Sequence, residues 1–296
     1  MTARPDVAVL GLGAMGLPMA QRLAEELTVR AYDIDDRRLA EARSAGVSPA
    51  TTPSDAAREA RSVLLAVRTI DQAEAALFGA NGAASALADD AVVILSSTVG
   101  IEAARRLGDR LARGGRRLLD APVSGGPGRA REGHLLVFVG GDPGTVTTAA
   151  PVLEKLGSTI IEVGPHVGDG QVLKTVNQLL CGVHIAAAAE ALALAKALGL
   201  DAATAVEALG AGAAASFMLD HRGPRIAAEL ADDPVEVVSR VDLFVKDMGL
   251  VSAAARAAGV ATPVADAAEQ LYRQAEVAGY AADDDSSIVR LLVRRP

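Results

Sequence analysis

The chain has 296 residues, half of them hydrophobic, enough to bury a substantial core in one large domain or two ordinary ones. Its 29 basic and 37 acidic residues leave a net charge of -8, which repels a phosphate backbone and offers no basic stripe to nucleic acid, so a small ligand is the expected partner. A single cysteine, Cys181, excludes an intramolecular disulfide and makes no demand for an oxidising compartment, and a cytoplasmic location is expected.

In chain order, the opening "MTARPDVAVLGLG" runs almost at once into a strand-like segment, without the basic, apolar and cleavage regions of a signal peptide. Short β-branched or leucine-rich runs then alternate with alanine-rich helical stretches: "DVAVLGL", "TVRAYD", "SVLLAV", "AVVILSST", "RRLLDAPV" and "LLVFVGG". That alternation predicts an α/β domain with a mostly parallel sheet covered by helices on both faces. Glycines and a proline cluster in "EVGPHVGDGQ", where a boundary is placed at residue 164. Beyond it only helices are expected, the first over about residues 169–198, followed by "DAATAVEALG", "DPVEVVSRVDLFVKDMGLVSAAARAAG", "TPVADAAEQLYRQAEVAG" and "DDDSSIVRLLV". Residues 165–296 thus form an all-α domain, joined to residues 1–164 by a long helix. The most apolar stretch of that helix carries His184, Glu190 and Lys196, so it reads as a buried helix and no membrane span is expected.

"GLGAMG" follows the first strand, with Gly11, Gly13 and Gly16 interleaved by Leu12, Ala14 and Met15, and Asp33 ends the second strand about twenty positions on. Gly11 allows a tight turn, Gly13 lets a pyrophosphate approach the backbone, and Gly16 lets the helix pack on the strand while its first amides face the anion. This is the pattern of a Rossmann dinucleotide-binding domain. Asp33 suits the adenosine ribose hydroxyls and repels a 2′-phosphate, which favours NAD over NADP. Arg37 and Arg38, a turn further on, form a solvated face or reach a phosphate.

Ligands of such sheets sit beyond the carboxyl ends of the strands, and two of these ends are unusually polar. One is "SST", ending in Thr98. The other is "DAPVSGG", where Ser124, Gly125 and Gly126 offer a hydroxyl and unobstructed backbone amides suited to a carboxylate; an ordinary glycine turn is the alternative.

Only four of the 29 basic residues are lysines, at 155, 174, 196 and 246. In a chain that uses arginine for positive charge, Lys174 in "VLKTVNQLL" calls for a reason. Oxidising a hydroxy acid by hydride transfer needs a group that removes the hydroxyl proton; a desolvated lysine does this, whereas arginine stays protonated. Asn177, one turn later on the same face, is placed to hold the lysine or a substrate hydroxyl. The alternative is a lysine that snorkels from the helix start to solvent. Lys246, inside the apolar run "VDLFVKDMGLV", either joins the site or pairs with Asp247. Cys181 and His184 share the Lys174 helix and read as a buried thiol and a satisfied imidazole. The four histidines form no metal-spaced pair, and no metal is expected.

Taken in order, "GLGAMGLPMA", "SST", "DAPVSGG", "GDGQVLKTVNQLL" and "KDMGL" resemble the β-hydroxyacid dehydrogenase family, which includes 3-hydroxyisobutyrate dehydrogenase, tartronate semialdehyde reductase and 6-phosphogluconate dehydrogenase. Within it, "NQLLCGVHIAAAAEALALA" and "GYAADDDSSIVRLL" are most similar to the L-threonate-type sugar-acid dehydrogenases. The resemblance implies that Lys174 is the acid/base, Asn177 its helper, and Ser124, Gly125 and Gly126 the substrate-carboxylate site. It also implies dinucleotide contacts from Val67, Arg68, Gln72 and Thr98, a place near the nicotinamide for Lys246, and assembly as a homodimer or homotetramer. The chain departs from the family's usual Leu-Pro at Val67 and Arg68, from a small residue at Arg129, and from a frequent threonine at His134.

The expected activity is hydride transfer between a small hydroxy acid, of the four-carbon sugar-acid type, and NAD, with NADP as the alternative cofactor. A sibling enzyme acting on 3-hydroxyisobutyrate or a semialdehyde is one rival; imine reductases of this fold typically lack the lysine. A non-catalytic dinucleotide-binding protein is the rival from another class, and it would have no use for Lys174.

Overall fold

The computed structural model describes residues 6–293. It divides into two compact units, one ending at Lys174 and one beginning at Thr175. In chain order the first contains β1 (Val7–Leu10), α1 (Gly16–Ala24), β2 (Val29–Tyr32), α2 (Asp36–Ser44), β3 (Ser48–Pro49), α3 (Pro53–Ala57), β4 (Ser62–Leu65), α4 (Ile70–Phe78), β5 (Val92–Leu95), α5 (Ile101–Arg113), β6 (Arg117–Asp120), β7 (Val123–Ser124), α6 (Gly126–Glu132), β8 (Leu135–Gly140), α7 (Pro143–Leu156) and β9 (Gly157–Gly164).

The sheet order is β3-β2-β1-β4-β5-β6-β8-β7, with β9 paired to β8. The six strands from β3 to β6 run parallel, whereas β8 runs antiparallel to β6 and β7. Every residue of β1, β4 and β5 is buried, as strands covered on both faces require. Alternate residues divide between two apolar layers: Val7, Val9, Leu64 and Ile94 pack with Met19, Leu23 and Leu153 on one face. Ala8, Leu10, Leu65 and Leu95 pack with Leu77, Leu107 and Leu111 on the other. The strand order reverses direction between β1 and β4, so the turns after these two strands flank the crevice where such sheets bind ligands.

All six strand runs expected from the sequence are present, one of them split into β6 and β7; the two-residue β3 is an addition, and so is β9. Only one of its eight residues is buried and its pairing with β8 slips register twice, so it runs as an exposed strand although it contains Ile160, Ile161 and Val163.

The helix α8 (Asp169–Ala197) runs without a break across the division between the units. Its length and composition would let it cross a membrane, but half of its most apolar stretch is buried within the protein. The second unit continues with α9 (Ala202–Gly210), α10 (Phe217–Leu230), α11 (Val241–Ala258) and α12 (Pro263–Ala275), packed around Ile185, Leu192, Phe244, Met248 and Tyr272. The sequence pattern missed α10, which contains Gly223 and Pro224 in its middle. Those residues read as breakers, yet Gly223 packs so closely on Val206 that an added Cβ would lie 2.9 Å from it.

The helix expected from Asp233 begins only at Val241. Asp284 is the cause: its carboxylate accepts the Val238 and Ser239 N–H groups at 2.9 and 3.2 Å, holding that stretch out of a helix. "DDDSSIVRL" forms a 3-10 helix, Asp285–Leu291, rather than an α-helix.

Candidate functional site

The glycine loop joins β1 to α1, and its shape is fixed by close approaches. Gly11 has φ +96°, and a Cβ there would lie 2.6 Å from the Ala66 carbonyl oxygen; one on Gly16 would lie 1.9 Å from the Gly11 oxygen. Gly13 differs, because a Cβ there would meet nothing nearer than Arg38 Nη1 at 3.9 Å. The loop is closed where it packs and open where an anion would approach. This arrangement fits the pyrophosphate of a dinucleotide, with the amides of α1 beyond Met15 completing the cradle.

Asp33 follows β2 and is buried. Its Oδ2 accepts the Leu12 N–H at 2.6 Å and its Oδ1 accepts the Asp35 N–H at 2.9 Å. The carboxylate therefore braces the glycine loop from the neighbouring strand, a role the sequence pattern did not reveal. Arg38 Nη1 lies 3.5 Å from Asp33 Oδ2, while Arg37 pairs with Asp35. Beside them a cavity of about 600 Å³ is lined by Tyr32, Asp33, Ile34, Leu39 and Thr51. Ile34 is 86% exposed, leaving apolar surface against which a flat base can lie.

Across the crevice, the Val67 N–H donates to Ser97 Oγ at 2.9 Å, which ties the turn after β4 to the end of β5 next to Thr98. Gln72 closes a capping box on α4, its Oε1 accepting the N–H groups of Arg68 at 2.9 Å and Thr69 at 3.3 Å. That carbonyl oxygen holds the turn in shape. Ser124 ends β7, and Gly125 and Gly126 have φ of +139° and +79°, values that exclude most side chains. A Cβ on Gly125 would press on Arg129 and Leu135 at 3.1 Å, whereas one on Gly126 would meet nothing within 4 Å, so the turn is open at Gly126.

The helix bearing Lys174 starts against this sheet. Gly170 packs so closely that a Cβ would lie 2.5 Å from the Phe138 carbonyl oxygen and 3.0 Å from that of Asp120. Gln171 and Asp120 are both fully buried. Gln171 Nε2 donates to Asp120 Oδ1 at 2.8 Å and to the Ser97 carbonyl at 3.1 Å. Its Oε1 accepts the N–H groups of Val99 and Gly100 at 3.0 and 3.1 Å. Asp120 Oδ2 accepts the backbone N–H groups of Gln171 and Gly168 at 2.8 and 3.1 Å. Burial pushes the Asp120 carboxyl up to about 6, against the opposing pull of the Gln171 and Gly168 donors. Lys174 lies three residues after Gln171 on the same helical face and is only 6% exposed, so it does not snorkel to solvent. The sequence pattern missed Asp120 and Gln171; the signals were a lone acid in an apolar strand and a polar residue beside Gly170.

In the second unit, Asn177 Nδ2 donates to Gln178 Oε1 at 2.9 Å and approaches Cys181 Sγ at 3.4 Å. Gln178 Nε2 donates to Asp247 Oδ2, and Lys246 Nζ lies 3.0 Å from Asp247 Oδ1. Buried Gln178 and Asp247 thus connect Asn177 to Lys246, two residues singled out from the sequence, and Lys246 is paired with Asp247. Among the described residues, no group of three or more His, Cys, Asp or Glu side chains gathers in a way that could hold a metal ion.

Residues 6–164 match the family described as the NAD binding domain of 6-phosphogluconate dehydrogenase. Residues 168–292 match the one described as NAD-binding of NADP-dependent 3-hydroxyisobutyrate dehydrogenase. An L-threonate dehydrogenase of Cupriavidus necator is 39% identical over 287 residues, covering 97% of this chain and 95% of the relative. The crystal structure of a 3-hydroxyisobutyrate dehydrogenase from Salmonella typhimurium superimposes with a TM-score of 0.89 at 31% identity, covering 96% of this chain and 99% of that one. A Mycobacterium tuberculosis 3-hydroxyisobutyrate dehydrogenase with L-serine gives 0.84 at 29% identity, covering 99% and 100%.

Proposed function

The chain belongs to the β-hydroxyacid dehydrogenase family and is an NAD(P)-dependent hydroxy-acid dehydrogenase, and from that premise we propose that its substrate is a four-carbon sugar acid of the L-threonate type. The observation that carries the chemistry is Lys174, buried on α8 one turn after a helix start clamped to the sheet. When bound, the nicotinamide supplies the hydride acceptor or donor. Lys174 Nζ in its neutral form takes the substrate hydroxyl proton, and in the reverse direction its ammonium form returns one to the carbonyl oxygen. Asn177 assists, and Ser124 with the amides of Gly125 and Gly126 takes the carboxylate. Residues 11–16 and Asp33 would hold the dinucleotide, with Val67, Arg68, Gln72, Thr98 and Lys246 as its further binding residues.

In this reading residues 1–164 bind the cofactor and residues 165–296 serve substrate binding and self-association in a homodimer or homotetramer. Exposed Val172, Val176 and Leu180, each four residues apart on α8, support the association. NAD would be preferred because Asp33 suits the ribose hydroxyls and repels a 2′-phosphate, with Arg38 beside it offsetting part of its charge. The work of such an enzyme belongs in the cytoplasm, where nicotinamide cofactors are supplied. A sibling activity on 3-hydroxyisobutyrate has support of its own in the likeness to the Salmonella enzyme.

The test is a screen of hydroxy acids with NAD and NADP for reduced-nicotinamide absorbance, using wild type and Lys174→Ala. Turnover of L-threonate that drops by about a hundredfold or more in the variant is the expected result. Equal turnover in both proteins would remove Lys174 from the chemistry. Dinucleotide binding without turnover of any acid would support a binding protein instead.

A further inference from the structure

We propose that Gln171 and Asp120 form a polar latch that sets where Lys174 stands relative to the Thr98 strand end, making Gln171 a positioning residue for the reaction. The proposal rests on the reading of Lys174 as acid/base.

Three backbone segments meet at this one side chain. The residues after β5 present the Ser97 carbonyl and the Val99 and Gly100 N–H groups to Gln171, and β6 presents the Asp120 carboxylate. The first turn of α8 closes onto that carboxylate through the Gln171 and Gly168 amides. Each partner has a fixed polarity. The Val99 and Gly100 N–H groups can only donate, which forces the amide oxygen of Gln171 toward them and its nitrogen toward Asp120 and Ser97. The side chain therefore has one orientation, and a full set of partners in a site closed to water makes any other arrangement costly. Packing alone would hold the helix start near the sheet, as Gly170 does. What the latch adds is register: Lys174 follows Gln171 by three residues in continuous helix, so its place on the helix face moves with the latch. An error of about 1 Å in such a group costs on the order of a hundredfold in rate.

The experiment uses polarity. In Gln171→Glu, two carboxylates face each other; in Asp120→Asn, an amide N–H faces the Gln171 N–H. In the double variant the new amide at position 120 donates to the new carboxylate at position 171. That carboxylate still accepts from Val99 and Gly100, so complementarity returns at every contact except the one to Ser97. Each single variant is expected to lose roughly ten- to a hundredfold in kcat while the Kd for NADH stays within about threefold, and the double variant to recover most of the loss. A purely stabilising role would lower the unfolding midpoint without this split or this rescue. Wild-type kcat in Gln171→Glu, or a double variant no better than either single one, would overturn the proposal. In the unmodified protein, the Val99 and Gly100 amides are expected to exchange with solvent as slowly as the sheet core; fast exchange would overturn it even if every variant failed to fold. Should Lys174→Ala retain full turnover, the acid/base reading falls on that result, whereas the latch is judged by the exchange of these two amides.

Discussion

The two units use buried charge for different ends. In the first, the carboxylates of Asp33 and Asp120 are met mainly by backbone N–H groups from turns and a helix start: Leu12 and Asp35 for one, Gln171 and Gly168 for the other. In the second, the buried acids Asp284 and Asp285 are met by arginines, Asp284 accepting the Val238 and Ser239 N–H groups as well, while Asp247 is met by Gln178 and Lys246. Arg222 pairs with Asp285 at 2.9 Å and Arg225 with Asp284 at 2.9 Å, both acids being almost completely enclosed. Burial pushes the Asp285 carboxyl up despite Arg222 beside it. Burial also opposes charge on Asp284, but donors from Ser286, Val238 and Arg225 outweigh it and hold that carboxyl below the usual range. Carboxylates bound to amides fix the path of a loop, which a ligand site needs; carboxylates bound to guanidinium groups fasten one helix to another, which a scaffold needs.

Breaking the second kind should have the largest effect on stability. Arg222→Ala leaves Asp285 buried without this partner and is expected to cost about 3–5 kcal/mol, read as the shift of the urea unfolding curve. A loss under about 1 kcal/mol would show that the pair adds little to the fold.

The first kind can be probed with two glycines of one loop. Gly16→Ala places a methyl against the Gly11 carbonyl and should lower the unfolding midpoint by several degrees. Gly13→Ala meets open space, so the midpoint should stay within a degree or two while NADH affinity falls about tenfold. If both variants behave alike, in either direction, the division of the loop into a packed part and a binding part is wrong.

A smaller effect follows from Asp120. With its carboxyl pushed up to about 6, the folded protein holds a proton between about pH 4 and 6 that the unfolded chain has released. This group therefore makes stability fall as pH rises through that window and contributes no further slope above it. On going from pH 7 to pH 5 it should add about 1 kcal/mol to wild type relative to Asp120→Asn, measured by denaturation of both proteins at each pH. His221, whose pKa burial and then Arg222 lower, acts with the opposite sign in both proteins and cancels in the difference. A difference that does not change with pH would contradict the assignment. The smallest effect expected is on cofactor choice: Arg38→Ala removes the cation beside Asp33 and should lower the use of NADP relative to NAD by a few-fold in kcat/KM. An unchanged ratio would take Arg38 out of the preference.

What the sequence made legible follows the same contrast. Parallel strands buried on both faces appear as unbroken apolar runs, and a glycine loop followed by an acid has a fixed spacing, so the sheet, Asp33 and the Lys174 helix could all be read directly. The helix α10 could not, because Gly223-Pro224 breaks the usual period, and β9 was passed over although Thr159, Ile160, Ile161 and Val163 are strand-forming residues. The stretch before Val241 was hidden for another reason: its amides are claimed by Asp284, more than forty residues away in sequence. The partners of Gln171 and Gln178 went unnoticed for the same cause. A buried glutamine is identified by partners that only the fold brings together, Asp120 for one and Asp247 for the other.

The proposed activity turns on Lys174 giving and taking a proton. Lys174→Arg tests it most directly, since it keeps the positive charge and much of the side-chain reach but cannot give up its proton at any working pH. With NADH binding intact by fluorescence titration, no measurable oxidation is expected, from about pH 7 to 10, of any acid that wild type turns over. Turnover within about tenfold of wild type across that range would contradict it.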